Sequence, residues 1–293
     1  MRLGLGTVQF GLDYGMGSQT SKVSEAEVRN ILSMASDCGI KVLDTAHAYG
    51  QAEAVVGRCL NKPSHFQLVT KTVPLKDSRG ADSALSKVRT GFAESLDQMK
   101  VDSVYGLLVH HADDLLSRSG TALWELMGQW QREGRVERIG CSVYTGAQID
   151  QLLERFPIEI VQLPINVLDQ RLAAGGQLQR LKNADVEIHA RSIFLQGLLL
   201  RNETEIPPFF DPIRSVLRCW ERQTNSSKFE KVGHALAFVR SLGLIDTVVF
   251  GVHSAEELRS NICALKSIEA SSIDYSRFSI DEDRYLNPGR WVL

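Results

Sequence analysis

Short apolar runs alternate with longer amphipathic stretches along almost all of the 293 residues. The apolar runs are rich in Val, Ile and Leu and are mostly continuous, which is typical of strands that are covered on both faces. Between them, apolar residues recur at helical spacing. This pattern predicts eight strands, each followed by helical sequence. The predicted strands are 3–7, 41–45, 67–72, 104–110, 138–143, 159–163, 187–192 and 247–252.

Capping residues mark the starts of two predicted helices. Ser24 with Glu27, and Ser254 with Glu257, have the spacing of capping boxes, in which each side chain caps the backbone of the other residue. Gly39 is a stop signal for the first of these helices. The other predicted helices cover 83–99, 121–132, 147–156, 172–183, 212–222 and 229–242.

Eight successive strand–helix units favour a closed (β/α)8 barrel, a TIM barrel of the α/β class. The alternative is an open doubly wound sheet, which would carry a G-x-G-x-x-G fingerprint after its first strand. The run from Gly4 to Gln9 lacks the third glycine, so this fingerprint is not supported. We therefore predict a single barrel domain over 1–293. Its C-terminal tail, 271–293, is expected to pack on the barrel because Phe278, Tyr285 and Trp291 need burial.

The composition excludes several classes of partner. The chain has 33 basic and 35 acidic residues and a net charge of −2, so it offers no strong field of one sign to a nucleic acid. No apolar run reaches the roughly 18 residues that a membrane span needs. The five cysteines are widely spaced with no C-x-x-C pair, as expected of reduced thiols in a cytoplasmic protein. Nothing in the sequence indicates a protein partner.

Polar residues at the strand ends are the candidate site residues, because a barrel of this class places its reactive groups at the C-terminal ends of its strands. Asp44 and Tyr49 follow the second strand, and Lys71 ends the third. His110 ends the fourth strand. The other strand ends carry Thr7, Ser142, Gln162, Arg191, Ser192, His253 and Ser254.

An acid, a phenol, an amine and an imidazole on adjacent strands indicate acid catalysis. A phenol has a reference pKa of about 10 and is a weak acid at neutral pH. A neighbouring ammonium group lowers that pKa because it stabilises the phenolate, and a carboxylate keeps the ammonium group charged. Such a set protonates a developing alkoxide but supplies no hydride, so it requires a redox cofactor. His110 and His111 lack partners at ligand spacing, so we predict no metal site.

Several segments together resemble the aldo-keto reductases. The specific part is D-x-A-x-x-Y-G, which spans Asp44 and Tyr49, and the resemblance runs from residue 3 to about 266. It implies a (β/α)8 barrel that binds NAD(P)H in extended form across its mouth. The matching segments are GLGT (4–7), LDTAHAYG (43–50), VTK (69–71), LLVH (107–110), GCS (140–142) and QGLL (196–199).

The resemblance also implies a role for each candidate residue. Tyr49 is then the general acid that protonates the oxygen of an aldehyde or ketone during hydride transfer. Asp44 and Lys71 are its activating pair, and His110 orients the substrate. The positions that match cofactor contacts are Thr7, then Ser142 and Gln162 at the carboxamide, Ser192, Phe194 and Gln196 along the pyrophosphate, and Val252, His253, Ser254, Glu257 and Asn261 at the adenosine end.

The chain departs from the family pattern at three positions. Val143 follows Ser142 where Asn is common, and Arg191 stands where many members place an aromatic ring against the nicotinamide. Glu257 stands where Arg often contacts the 2′-phosphate of NADP, and a carboxylate repels that phosphate. Because Glu257 also fits a capping box and His253 is a basic neighbour, the cofactor choice stays open. Frequency in the family slightly favours NADP(H) over NAD(H).

Three functions are compatible with these residues. The leading hypothesis is an NAD(P)H-dependent carbonyl reductase with a small-molecule carbonyl substrate. A second is a cofactor-binding regulatory subunit with little turnover, and a third is a lyase that forms a Schiff base through Lys71. The sequence does not name the substrate. Candidate apolar walls for its site are Phe10, Tyr14, Trp124 and Phe194.

Overall fold

Eight parallel strands form a closed barrel in the computed structural model, which describes residues 1–16, 21–60, 65–75, 81–225, 227–268 and 273–292. The strands pair in sequence order, and the eighth closes on the first through the register Arg2 with Thr247 and Leu5 with Phe250. This topology confirms the predicted fold class. The strands are β1 (Arg2–Gly6), β2 (Val42–Asp44), β3 (Gln67–Lys71), β4 (Val104–Val109), β5 (Val136–Ser142), β6 (Ile160–Pro164), β7 (Glu187–Arg191) and β8 (Thr247–Phe250).

Helices follow every strand and surround the barrel. Short 3-10 helices cover Leu195–Leu200, Glu203–Glu205, Pro208–Ile213, Tyr275–Phe278 and Pro288–Arg290. The α-helices are α1 (Val8–Gly11), α2 (Glu25–Asp37), α3 (Ala52–Cys59), α4 (Ala81–Met99), α5 (Ala112–Leu116), α6 (Gly120–Arg132), α7 (Gly146–Arg155), α8 (Arg171–Ala174), α9 (Gln177–Asn183), α10 (Arg214–Gln223), α11 (Lys228–Ser241), α12 (Ala255–Ser267) and α13 (Asp283–Leu286). Within the described residues, no helix combines the length and apolar character that crossing a membrane requires.

The predicted strand bounds agree with the structure to within two residues at every end. The helix predicted over 172–183 is in fact two helices, α8 and α9. Gly176 separates them with a φ of 79°, a left-handed conformation that glycine adopts without a steric cost. Helix α3 was not predicted, because its eight residues are too few to show helical periodicity clearly.

The two predicted capping boxes form only in part. Ser24 and Ser254 accept hydrogen bonds from the backbone N–H groups of Glu27 and Glu257, as predicted. Neither glutamate returns a bond to its own cap residue. Glu27 Oε1 instead accepts the N–H of Ala255 at 2.7 Å, so α2 supplies a negative charge to the start of α12.

The C-terminal segment is described from residue 273 to 292, so 271, 272 and 293 of the predicted tail lie outside the described residues. Phe278 is buried edge-on against Trp220 of α10, with ring centroids 5.3 Å apart. Trp291 donates a hydrogen bond from Nε1 to the carbonyl of the buried Tyr285 at 3.0 Å. The Phe278 contact packs the segment against α10, and the Trp291 bond fixes the fold of the segment itself.

A polar cluster centred on Glu187 lies at the N-terminal end of the strands, and we call it the lower cluster. Arg2 Nη2 donates to Glu187 Oε1 at 2.5 Å, and His189 Nε2 lies 2.9 Å from the same oxygen. Tyr105 donates its hydroxyl to Oε2, and Arg138 Nε lies 3.5 Å from that oxygen. Burial raises the pKa of Glu187, but these partners outweigh burial and lower it to about 2.

Candidate active site

A cavity of about 620 Å³ lies at the opposite, C-terminal end of the strands. Asp44, Tyr49, Lys71 and His110 all line it. Of the predicted cofactor positions, nine also line it: Thr7, Ser142, Gln162, Ser192, Phe194, Gln196, His253, Glu257 and Asn261. Val252 and Ser254 do not, because Val252 is fully buried in the core and the Ser254 hydroxyl caps α12.

Asp44 holds Lys71 at the centre of this cavity floor. Lys71 Nζ donates to Asp44 Oδ1 at 2.8 Å, to Oδ2 at 2.9 Å and to the carbonyl of Thr45 at 2.8 Å. Gln162 Nε2 donates to Asp44 Oδ1 at 2.6 Å, and the Thr7 hydroxyl donates to the Asp44 carbonyl at 3.0 Å. Strands β2, β3 and β6 therefore fix one ion pair together.

The Lys71 ammonium group is buried, charged and close to Tyr49. Burial alone lowers the pKa of Lys71, but the Asp44 carboxylate and the Tyr49 side chain outweigh burial, so the pKa lies above its ordinary value. Lys71 Nζ lies 5.1 Å from the centroid of the Tyr49 ring. A fixed positive charge thus faces the phenol, as the sequence predicted.

A tight turn between β2 and α3 positions Tyr49. Its N–H donates to the Ala46 carbonyl at 2.9 Å, and its carbonyl accepts the N–H of Ala52 at 3.1 Å. Helix α1 packs directly on this turn through Gly11, where a Cβ atom would lie 1.9 Å from the Tyr49 carbonyl oxygen. Any larger residue at position 11 would therefore displace the phenol.

His110 is an uncharged imidazole beside Tyr49. The two rings meet edge to face, with centroids 6.1 Å apart and planes at 88°. Burial, and then the charge of Lys71, lower the pKa of His110 to about 3. Its Nδ1 atom has no hydrogen-bond partner within the described part of the chain. At neutral pH, one ring nitrogen therefore carries a hydrogen that can be donated to an oxygen in the cavity.

Two residues that the sequence analysis did not assign to the site, His111 and Tyr144, also line the cavity. His111 is exposed, lines the cavity and stacks on His110 with centroids 4.8 Å apart. Tyr144 follows β5 by two residues, and the Arg191 guanidinium lies 4.3 Å from its ring centroid. An isolated aromatic residue shows no periodicity, so only the position of Tyr144 just past a strand end could have identified it from the sequence.

The loop after β7 has an unusual backbone where it lines the cavity. Ser192, Leu195 and Gln196 adopt φ values of 61°, 46° and 53°, which non-glycine residues rarely do. Gln196 Nε2 lies 3.2 Å from the Tyr14 hydroxyl, and the Gln196 carbonyl accepts the Met16 N–H at 3.0 Å. These contacts connect the loops that follow β1 and β7.

A negative charge marks the far end of the cavity, near α12. Glu257 Oε2 accepts the His253 N–H at 2.8 Å, and Lys228 Nζ lies 3.4 Å from Oε1. Burial raises the pKa of Glu257, but the bonds from His253 outweigh burial and lower it to about 2. Because Glu27 already accepts the N–H of Ala255, that N–H at the start of α12 is not available to an external anion.

Two of the four predicted apolar walls lie elsewhere. Phe10 is 1% exposed and packs into the core, because it belongs to α1 rather than to an open loop. Trp124 packs on Phe156, with centroids 5.4 Å apart, and does not line the cavity. Tyr14 and Phe194 do line it.

The lining residues fit a nicotinamide dinucleotide. Ser142 and Gln162 line the cavity and offer an uncharged hydroxyl and an uncharged amide as partners for a carboxamide. Away from the ion pair, Arg201 and Lys228 supply positive charge for phosphate groups. The loop after β7 brings its polar residues to the cavity through left-handed backbone at Ser192, a conformation that carries a strain cost.

Comparison with known proteins shows similarity to one family. The model of the Aldo/keto reductase family matches residues 2–280. Aldo-keto reductase YhdN from Bacillus subtilis is 29% identical over 213 residues, which cover 70% of this chain and 61% of YhdN, less than two thirds of its length. L-galactose dehydrogenase from Arabidopsis thaliana is 26% identical over 287 residues, 90% of this chain and 86% of that protein.

Solved structures show the same fold. The aldo-keto reductase AKR11C1 from Bacillus halodurans has a TM-score of 0.73 to this chain, with coverage of 94% of this chain and 90% of that one. The two sequences are 19% identical, so the likeness concerns the fold alone.

Proposed function

This chain belongs to the aldo/keto reductase family, and on that premise we propose that it transfers a hydride from NAD(P)H to an aldehyde or ketone, with Tyr49 as general acid. One observation carries the proposal. The buried Lys71 ammonium group, held by Asp44, faces the Tyr49 ring in a cavity that also contains the uncharged His110.

The side chains divide the work of carbonyl reduction among them. A dihydronicotinamide held in this cavity would supply the hydride, which carries two electrons and one proton and would form the new C–H bond at the carbonyl carbon. Tyr49 gives its hydroxyl proton to the carbonyl oxygen as the C=O π electrons move onto that oxygen. Lys71 stabilises the resulting phenolate, and His110 donates a hydrogen bond that orients the oxygen. Solvent then returns a proton to Tyr49, and the product is an alcohol.

The geometry of Lys71 argues against the lyase alternative. A Schiff-base lysine must be an accessible, uncharged amine. The Lys71 side chain is 1% exposed, makes three hydrogen bonds and has a raised pKa. Its role in the proposal is therefore that of a fixed charge.

We also propose NADP(H) as the dinucleotide, which its frequency in the family slightly favours over NAD(H). Two cations, Arg201 and Lys228, and two carboxylates, Glu205 and Glu257, line the cavity away from the Asp44–Lys71 pair. The two positive and two negative charges cancel, so they do not strongly favour either NADP(H) or NAD(H). For the cellular setting we propose the cytoplasm, supported by five cysteines that are all free thiols.

Replacing Tyr49 by Phe tests the central assignment. We expect Tyr49→Phe to lower kcat/KM for aldehydes about a thousandfold or more, because the variant lacks the proton donor. The dissociation constants of NADPH and NADH, measured by calorimetric titration, should change less than about threefold, and NADPH should bind slightly more tightly. Tyr285→Phe, at a tyrosine outside the cavity, is the control.

Three results would contradict this proposal. One is full activity in Tyr49→Phe, and another is failure of the wild type to bind either dinucleotide at millimolar concentration. The third is tight dinucleotide binding without turnover on a panel of short aldehydes, ketones and aldoses, which would favour the regulatory-subunit alternative.

A further inference from the structure

Arg191 presents a fixed positive charge to the catalytic part of the cavity. It ends β7, and its guanidinium lies over the Tyr144 ring at 4.3 Å from the centroid. Nη2 donates to the Val143 carbonyl at 3.2 Å, and Nη1 donates to the Ser192 hydroxyl at 3.3 Å. All three contacts orient the group, and none of them neutralises it.

No carboxylate among the described residues forms an ion pair with Arg191. The contrast with Lys71 is direct, since Asp44 binds Lys71 through both oxygens and the pair is neutral overall. Arg191 therefore contributes a net positive charge to this end of the cavity. Burial and then Lys71 are the larger causes of the low pKa of His110, and the charge of Arg191 adds to them. Arg191 also lines the same cavity as Tyr49, Lys71 and His110.

The location of this charge matters for a nicotinamide ring. If the proposed function holds, the ring must bring its C4 atom to a carbonyl carbon whose oxygen meets Tyr49 and His110. Arg191 lines the same space and its charge acts on His110, so the ring binds within its field. Loss of a hydride removes two electrons and one proton, and it changes the ring from neutral to singly positive. A fixed cation raises the free energy of the positive ring and has little effect on the neutral one.

We propose that Arg191 biases the site between the oxidation states of its dinucleotide, so that NAD(P)⁺ binds more weakly relative to NAD(P)H than it would without this charge. The inference rests on the proposed function and extends it. By linkage, the same charge shifts the equilibrium on the protein towards the reduced dinucleotide and the carbonyl compound. It also weakens product inhibition by NAD(P)⁺ during carbonyl reduction. Tyr144 is the platform that holds the guanidinium in place.

The test compares two binding constants within each variant. Calorimetric titration gives the dissociation constants of the oxidised and the reduced dinucleotide for wild type, Arg191→Met and Arg191→Lys. We expect Arg191→Met to lower the ratio of the oxidised to the reduced constant about fivefold or more. Arg191→Lys keeps the charge but loses the planar stack, so it should retain most of the wild-type ratio. Partial unfolding affects both constants equally and cancels in the ratio.

Two outcomes would overturn the inference. In one, the ratio in Arg191→Met stays within twofold of wild type, or Arg191→Lys behaves as Arg191→Met does, so that Arg191 acts by packing. In the other, the ratio is unchanged and only KM for aldehydes that carry a carboxylate rises, so that Arg191 binds the substrate. In either outcome, the proposed function still holds if wild type binds the oxidised and the reduced dinucleotide and Tyr49→Phe loses activity. Failure of this inference can therefore be told apart from failure of the proposed function.

Discussion

Asp44 and Glu187 are both buried carboxylates that bind basic side chains, Asp44 at the C-terminal end of the barrel strands and Glu187 at the N-terminal end. Each oxygen of Glu187 has two partners in the lower cluster, and none of these residues lines the cavity. Asp44 holds Lys71 in a similar way, yet Tyr49 and His110 beside that pair face about 620 Å³ of open space.

The difference between the two ends is in what surrounds the ion pair. The polar groups of the lower cluster bind one another, so its charges stabilise the fold. At the upper end, Lys71 lies beside a phenol that lines an open cavity. Residue types alone do not distinguish these cases, whereas the strand end at which they lie does, as expected for this fold.

The largest expected effect comes from removing the cation at the upper end. Lys71→Met leaves Asp44 without its charge partner and Tyr49 without a neighbouring ammonium group. We expect kcat/KM to fall about a thousandfold or more, since the phenolate loses its stabilising charge. Activity is expressed per folded molecule, with the folded fraction taken from circular dichroism. A loss smaller than about tenfold would mean that the upper pair, like the lower one, is structural.

The matched change at the lower end should affect stability and leave catalysis intact. Glu187→Gln removes the charge that holds Arg2, Arg138 and His189. We expect the free energy of unfolding in urea to fall by about 1–3 kcal/mol, below the value for fully buried pairs because both arginines are partly exposed. The constant kcat/KM should stay within about threefold of wild type. A large catalytic defect in a fully folded variant would break the distinction between the two ends.

Lowering the pH should destabilise the fold through His110 at the upper end and through Glu187 at the lower end, in different pH ranges. This is the smallest of the expected effects. The pKa of His110 is about 3 in the folded chain and about 6.5 when unfolded, so below pH 6.5 only the unfolded chain binds this proton. The stability contributed by His110 is therefore complete above pH 6.5 and declines as the pH falls towards 3. For Glu187 the pKa falls from 4.5 to about 2 on folding, so its contribution is present above pH 4.5 and declines below that.

Thermal unfolding between pH 8 and pH 3 separates these ranges. We expect the stability of wild type relative to His110→Gln to decrease by about 1–2 kcal/mol from pH 8 to pH 5. The Glu187→Gln variant should be less stable than wild type by a constant amount through that range, and the two curves should approach each other only below pH 4.5, where wild type loses the contribution of Glu187. Parallel curves for wild type and His110→Gln would show that His110 accepts a proton as readily in the folded chain as in the unfolded one.

The sequence predicted the parts of this molecule that depend on local pattern. Strand positions follow from short continuous apolar runs, and Asp44, Tyr49, Lys71 and His110 follow from their places at strand ends. Both features are local in the sequence. Once the barrel closes, the C-terminal ends of its strands meet at one face, so the four side chains reach one cavity.

The remaining features depend on contacts between distant residues. Spacing alone assigned the carboxylate of Glu27 to its own helix, yet it binds the N–H of Ala255, 228 residues away. The stack of Arg191 on Tyr144 joins the end of β7 to the loop after β5, and nothing in the sequence marks the positive φ of Ser192, a non-glycine residue. Phe10 was a candidate wall of the substrate site, but the short helix α1 buries it.

The bond between Glu27 and Ala255 bears on how the chain reaches its native state during synthesis. Strand β1 has β2 on one side, but its other neighbour is β8, which a ribosome releases only after nearly 250 residues have been made. Until then, the edge of β1 lacks β8, and Oε1 of Glu27 lacks the N–H of Ala255. The earliest strand to emerge is thus among the last to be completed, and its exposed edge is where a stalled nascent chain would associate with others.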